Sequence, residues 1–208
     1  IEPKIEMHRC EKDVELLRAF CGYKAKTPAM QFDRSFADWS WTQAHVTQAP
    51  IVVHAVTRWK RKMWQVERWQ ALIKKLSQVA PIVLTSGAND EEIGITREMA
   101  SVAPGRVTIT EGKLNWSQMA GLLYSCRMLV SVDTATMHLG AACQTPTVAL
   151  LGPTLEKQWG PWACKHELIV PSMPANGYAT ERRLTTVEVD EVWRACERLL
   201  ATSPAPRA

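Results

Sequence analysis

Met128-Leu129-Val130-Ser131-Val132-Asp133-Thr134-Ala135-Thr136-Met137-His138 joins an apolar run, an Asp-Thr turn and the opening of a helical pattern. A short run that is apolar on both sides of the chain predicts a strand buried on both faces, here 128–132. The residues after the turn predict a short helix over 136–143. The same alternation extends in both directions. Strands are expected at 51–56, 82–86, 107–110 and 146–151, with a further short one at 169–170. Helices are expected at 64–78, 90–102 and 115–125. Trp69, Leu72, Ile73 and Leu76 share one helical face, as do Met119, Leu122 and Leu123. Thr185-x-x-Glu188 reads as a capping box opening a last helix that carries Val189, Val192, Trp193, Cys196, Leu199 and Leu200 on one side.

Strand–helix alternation with continuously apolar strands predicts an α/β fold: a Rossmann-like parallel sheet with helices on both faces. Such sheets bind ligands beyond the carboxyl ends of their strands. The loops at 56–62, 86–91, 110–114, 133–138 and 152–160 are therefore the candidate ligand edge. Residues 50–208 form the expected domain. Residues 1–49 differ: a helix is expected at 9–20, ending at Gly22, and 23–49 show little periodicity. They read as an arm packing on the domain. The tail, SPAPRA, reads as frayed.

The 208 residues suit one domain with an arm, and 46% hydrophobic against 22% charged residues excludes a disordered tail or a coiled-coil rod. No apolar run reaches the ~20 residues of a membrane-spanning helix. The polar start, IEPKIEMHRC, has no signal-peptide core, and a first residue other than Met reads as a fragment or a processed form. A net charge of +4 does not point to nucleic acid. Cys10, Cys21, Cys126, Cys143, Cys164 and Cys196 show no CxxC and no zinc spacing, and read as reduced, buried thiols of a cytoplasmic protein. The nine tryptophans fit either core or ligand platform.

Three segments carry chemistry. Arg58, Lys60, Arg61 and Lys62 place four cations within five residues, directly after a strand, where they suit a diphosphate. Asp133 stands at a strand tip, able to accept hydroxyl hydrogen bonds. The N–H groups near Thr134 to Thr136 form an anion site at a helix start, and His138 lies one turn on. Gly152-Pro153-Thr154 makes a rigid turn after the next strand. Each segment alone also fits a plainer role: a solvated basic turn, a helix cap beside a half-buried histidine, a turn. GxG, GxxxxGK[ST], GxSxG and HExxH are all absent.

Taken together, the segments resemble glycosyltransferase family 9, the ADP-heptose:lipopolysaccharide heptosyltransferases. The resemblance rests on Thr57-Arg58 with Lys62-Met63-Trp64, on Asp133-Thr134-Ala135-Thr136-Met137-His138 with Ala141-Ala142, on Thr145-Pro146 and on Gly152-Pro153-Thr154. Order and spacing agree over 50–162. The step from Arg58 to Lys62 and the run Leu84-Thr85-Ser86-Gly87 resemble the heptosyltransferase III subgroup.

The resemblance implies a GT-B fold whose carboxyl-terminal half, 50–208, binds the nucleotide-sugar donor, with 1–49 as the connecting region. It implies that Thr57 and Lys62 meet the diphosphate, with Arg58 beside them in the donor site, Glu91 the ribose and Leu114 the adenine. Asp133 would bind the heptose, the backbone of Thr134 and Ala135 a phosphate, and His138 would flank that site. Ala135 replaces the family's commoner glycine. The implied reaction is inverting, with no metal and no cofactor, and the absence of a DxD pair agrees. The implied partners are ADP-heptose and, through the acceptor half, the lipopolysaccharide core; the implied location is cytoplasmic, with peripheral contact at the inner membrane. The resemblance implies that the acceptor half and its aspartate base lie outside these 208 residues, so the chain is expected to bind donor without transferring heptose. Two other readings stay open: a non-catalytic nucleotide-sugar-binding domain, and a GT-B enzyme using a UDP-sugar.

Overall fold

The computed structural model describes residues 7–175 and 177–203, so the first six residues and all but Ser203 of the tail lie outside the described part. In chain order the elements are α1 (Arg9–Cys21), α2 (Ser40–His45), β1 (Ile51–His54), α3 (Val66–Leu76), β2 (Ile82–Leu84), α4 (Asp90–Ala100), β3 (Val107–Ile109), α5 (Trp116–Ser125), β4 (Met128–Val132), α6 (Ala135–Ala142), β5 (Thr147–Leu150), α7 (Glu156–Trp159), β6 (His166–Ile169) and α8 (Val189–Thr202). The six strands form one sheet in the order β3-β2-β1-β4-β5-β6, every pair parallel. This is the Rossmann-like architecture that the strand–helix alternation predicts.

Every residue of β1, β2, β4 and β5 is buried, because helices cover both sheet faces. Ile51, Val53, Leu84, Val130 and Leu150 point to the face covered by α3, α4 and α8. Val52, Val83 and Leu129, one residue out of step, point to the face covered by α5. Trp69, Leu72, Ile73 and Leu76 of α3 are all fully buried. At about 1.5–3 kcal/mol for each fully buried large apolar side chain, that stripe drives helix docking more than helix propensity does.

The tryptophans differ in burial. Trp64 and Trp69 lie buried in an edge-to-face pair, ring centroids 5.2 Å apart, while Trp59, Trp116 and Trp159 are exposed beside the ligand edge. The cysteines are all free, but only Cys126, Cys143 and Cys196 are buried; Cys21 is exposed at the end of α1.

One local expectation is corrected. Thr185 does not cap the last helix: residues Leu184–Thr186 form a 3-10 turn, and Glu188 takes the N-cap position without a side-chain cap bond. Tertiary contacts hold this turn. The Trp64 indole and Arg68 both donate to the Val187 carbonyl, and Arg68 pairs with Glu188 at 3.0 Å. In 23–49, the 3-10 turn Arg34–Phe36 and α2 are too short to imprint a period.

The arm lies on the α5 side. Phe32 N–H donates to the Ala142 carbonyl, Asp38 N–H to the Ser117 carbonyl, and the Tyr124 hydroxyl to the Phe32 carbonyl. A Cβ on Gly121 would fall 2.2 Å from the Asp38 carbonyl oxygen, so glycine is what lets the arm approach α5. His8 Nε2 meets the Gly160 carbonyl at 3.0 Å while its Nδ1 accepts from Cys10 N–H. Both bonds are satisfied by one tautomer, with the proton on Nε2, and the ring stacks on Trp162.

Candidate functional site

The chain direction across the sheet reverses between β1 and β4, and open α/β sheets bind ligands at such a switch point. A cleft of about 510 Å³ opens there. It is bounded by Thr57 and Arg58 after β1, Ser86–Ala88 after β2, Leu114 and Trp116 after β3, and Thr134–Thr136 at the start of α6. A second recess of about 830 Å³ adjoins it, sharing Thr57, Arg58, Gly87, Ala88 and Glu92.

The loop after β1 tightens into a 3-10 turn at Lys60–Lys62. Thr57 Oγ1 accepts from Trp59 N–H, and the Arg61 guanidinium lies 5.1 Å from the Trp59 ring centre. The turn aims two lysines in different directions. Lys62 Nζ reaches Asp133 Oδ2 at 2.6 Å, and Lys60 Nζ reaches Glu91 Oε1 at 2.5 Å. Arg58 is exposed, borders both recesses and has no hydrogen-bond or ion-pair partner among the described residues.

Asp133 is buried at the tip of β4, and its Oδ2 also accepts from the Thr154 hydroxyl at 2.5 Å. Thr134 starts α6, but its hydroxyl is buried with no partner and does not cap the helix. The first N–H groups of α6, on residues that line the cleft, therefore have no side-chain cap, at the positive end of the helix. Ala135 is the first residue of that helix and not one of the left-handed residues, so alanine in place of glycine carries no backbone strain here. His138 sits half-buried on the next turn, edge-on to Trp159. Burial pushes its imidazole below the usual range; Asp133 opposes this, and His8 and Lys62 add to it.

The cleft walls are held from behind. Glu92 accepts from Gly87 N–H at 2.7 Å, and Asn89 caps α4. Gly112 is left-handed, and a Cβ there would fall 2.4 Å from the Gly87 carbonyl oxygen, so the loops after β2 and β3 touch through a glycine. His54 Nδ1 meets Thr85 Oγ1 at 2.8 Å on the cleft floor. Burial holds its imidazole at about 4, against the pull of Glu92.

The structure thus sorts the nine residues singled out by sequence. Thr57, Arg58, Leu114, Thr134 and Ala135 line the cleft, and Glu91 borders the second recess with its carboxylate tied to Lys60. Half-buried Lys62 and buried Asp133 form one pair beside the cleft, with His138 flanking it. Sequence reasoning missed His54, Ser86, Glu92, Thr154 and Arg182. Thr154 stood in the Gly-Pro-Thr segment but read as a turn. Arg182 carries no local signal, since only the folded chain brings it to Thr154.

Among the described residues, no helix is long and apolar enough to cross a membrane, and no three His, Cys, Asp or Glu side chains converge as metal ligands would.

Known proteins resemble the chain in both sequence and shape. Lipopolysaccharide heptosyltransferase 3 of Escherichia coli is 30% identical over 122 residues, 58% of this chain and 36% of that protein. Lipopolysaccharide heptosyltransferase 1 of E. coli strain K12 is 31% identical over 152 residues, 72% of this chain and 46% of that protein. The chain therefore spans less than half the length of these curated relatives. The crystal structure of the glycosyl transferase family 9 protein from Veillonella parvula superposes with a TM-score of 0.81 at 18% identity, covering 95% of this chain and 61% of that one. E. coli heptosyltransferase WaaC with ADP superposes at 0.67 and 24% identity, covering 91% and 56%. At these identities the superpositions speak for the fold, that of GT-B glycosyltransferases. The sequence match to the family itself runs through residues 1–186, arm and cleft together, and the chain belongs to glycosyltransferase family 9, the heptosyltransferases.

Proposed function

We propose that residues 50–208 are the donor-binding half of an inverting, metal-independent heptosyltransferase, with 1–49 as the connecting region. The donor is ADP-heptose and the acceptor is the lipopolysaccharide inner core. The observation that carries this reading is the Lys62–Asp133 pair, 2.6 Å apart beside the open start of α6 at the sheet's switch point. A cation and free helix N–H groups suit a diphosphate; a carboxylate next to them suits sugar hydroxyls. The E. coli relative WaaC has been solved with ADP and with ADP-2-deoxy-2-fluoro heptose, which supports the choice of donor.

In this reading the nucleotide lies in the cleft, with its adenine against Leu114 and its diphosphate facing Thr57, Arg58 and the N–H groups of Thr134 and Ala135. Lys62 leans from Asp133 toward the phosphate that departs. Asp133 accepts from heptose hydroxyls, and His138 flanks it. The acceptor hydroxyl attacks the anomeric carbon, the bond to the ADP oxygen breaks, and the configuration inverts. The acceptor's proton goes to a carboxylate outside these residues. Charge that develops on ADP is met by Lys62 and the α6 dipole, groups already oriented before reaction. Glu91 reaches ribose hydroxyls by releasing Lys60. The enzyme works at the cytoplasmic face of the inner membrane.

Calorimetry on the chain with ADP, ADP-heptose and UDP-glucose, with and without EDTA, tests this. ADP and ADP-heptose should bind unchanged in EDTA, and UDP-glucose at least roughly tenfold more weakly, a gap of about 1.4 kcal/mol. A strict magnesium requirement would remove the metal-free mechanism, and a preference for UDP-glucose would assign another donor. Transfer to heptose-deficient lipopolysaccharide should need a separately expressed acceptor half. Transfer by the chain alone would place the base within it.

A further inference from the structure

Arg182 follows the 3-10 turn Ala179–Glu181 and is far from the cleft in sequence. Its guanidinium is nevertheless buried, with 2% of the side chain exposed. Burying a guanidinium is costly unless it is paired and its donors are used; here Nε is buried without a hydrogen-bond partner, so the burden falls on the terminal nitrogens. One nitrogen, Nη2, donates to the Thr154 carbonyl at 2.6 Å and to Glu156 Oε2 at 2.8 Å. Arg182 thus ties Thr154 to Glu156 where the bend after β5 enters α7. Burial alone would raise the Glu156 carboxyl, but its own backbone N–H and Arg182 bring it below the usual range.

Thr154 is also the residue whose hydroxyl reaches Asp133 Oδ2, the same oxygen that holds Lys62. The chain of contacts therefore runs Arg182, Thr154, Asp133, Lys62. The two N–H groups of Nη2 supply these two bonds, and the planar guanidinium fixes their directions; packing alone would be served by a methionine.

We propose that Arg182 is a positioning residue: it fixes the bend so that the Thr154 hydroxyl holds the Asp133 carboxylate against Lys62. Only its effect on ligand rests on the donor-binding reading above; the geometry it sets exists in the free chain.

The test uses the 208-residue chain as R182Q, R182K, T154V and the R182Q/T154V double variant. The first readout needs no ligand. Lysines are pulse-labelled with an acylating reagent and mapped by mass spectrometry, with exposed Lys74 as internal reference. Lys62, its Nζ bound to Asp133 Oδ2, should label roughly three- to tenfold faster than in the parent chain in R182Q and in T154V, the range expected for losing one hydrogen bond. The double variant should go no further than the faster single variant. R182K keeps the charge but not the planar, longer guanidinium and should fall between parent and R182Q. Unchanged Lys62 labelling, or a rise shared with Lys74, overturns the proposal. If R182Q does not fold by circular dichroism, R182K and T154V decide alone.

The second readout is the ratio of ADP-heptose to ADP affinity. It should fall in R182Q and T154V, because Asp133 serves the sugar; equal losses for both ligands would reduce Arg182 to a structural prop. If the parent chain binds neither nucleotide, the donor-binding reading fails while labelling still decides the role of Arg182.

Discussion

Lys60 and Lys62 stand on the same 3-10 turn, and each pairs with a carboxylate at nearly the same distance, 2.5 and 2.6 Å. Their surroundings differ. The Lys60–Glu91 side chains are 75% and 61% exposed, whereas the Lys62–Asp133 side chains are 23% and 7% exposed. Glu91 comes from the solvent-facing first turn of α4, and Asp133 from the tip of a strand buried on both faces. Water screens the first pair, and long side chains lose rotamer freedom to form it, so it contributes under about 1 kcal/mol. The second pair is held by elements that would stay in place without it. Distance alone therefore does not rank ion pairs at a ligand edge; the burial of the anchoring strand does.

The largest expected effect concerns the buried side of this contrast. His54 lies under the cleft, and burial depresses its pKa from 6.5 to about 4. The folded state favours the neutral ring, so between these values the unfolded chain binds more protons and stability falls as pH falls. The loss should total about 3 kcal/mol from pH 6.5 down to about 4. H54Q should flatten this limb in urea titrations across pH. An unchanged slope would move the acid sensitivity away from the cleft floor.

Next comes Lys62→Ala, which should weaken ADP binding by about 1–3 kcal/mol in calorimetry, the range for a charge-assisted hydrogen bond. Lys60→Ala should cost well under 1 kcal/mol, and its small effect should vanish in 0.5 M salt while that of Lys62 persists. Equal losses at the two lysines would dissolve the comparison into a diffuse basic patch. A gain in affinity for Lys60→Ala would sharpen it, since Glu91 would be released for the ribose.

The parallel sheet was legible in sequence because strands covered on both faces need apolar residues at successive and not only alternate positions, as in Ile51-Val52-Val53 and Met128-Leu129-Val130. The ligand edge was legible for the same reason: once strand direction is known, the loops after the strands become the candidate site. Thr57, Arg58, Leu114, Thr134 and Ala135 were placed by that logic together with the family resemblance, and they do share one cleft. Pairings between distant residues were not legible. Nothing local tells Lys62 to meet Asp133 rather than Glu91, Thr154 to use its hydroxyl rather than only turn the chain, or Arg182 to lie buried behind both. The Thr185 capping box failed similarly, because Trp64 and Arg68 claim the Val187 carbonyl from another helix. Periodicity records which face of an element leaves water, a property each segment carries by itself. Directional polar contacts depend on how separate segments are brought together, and only the tertiary structure decided those.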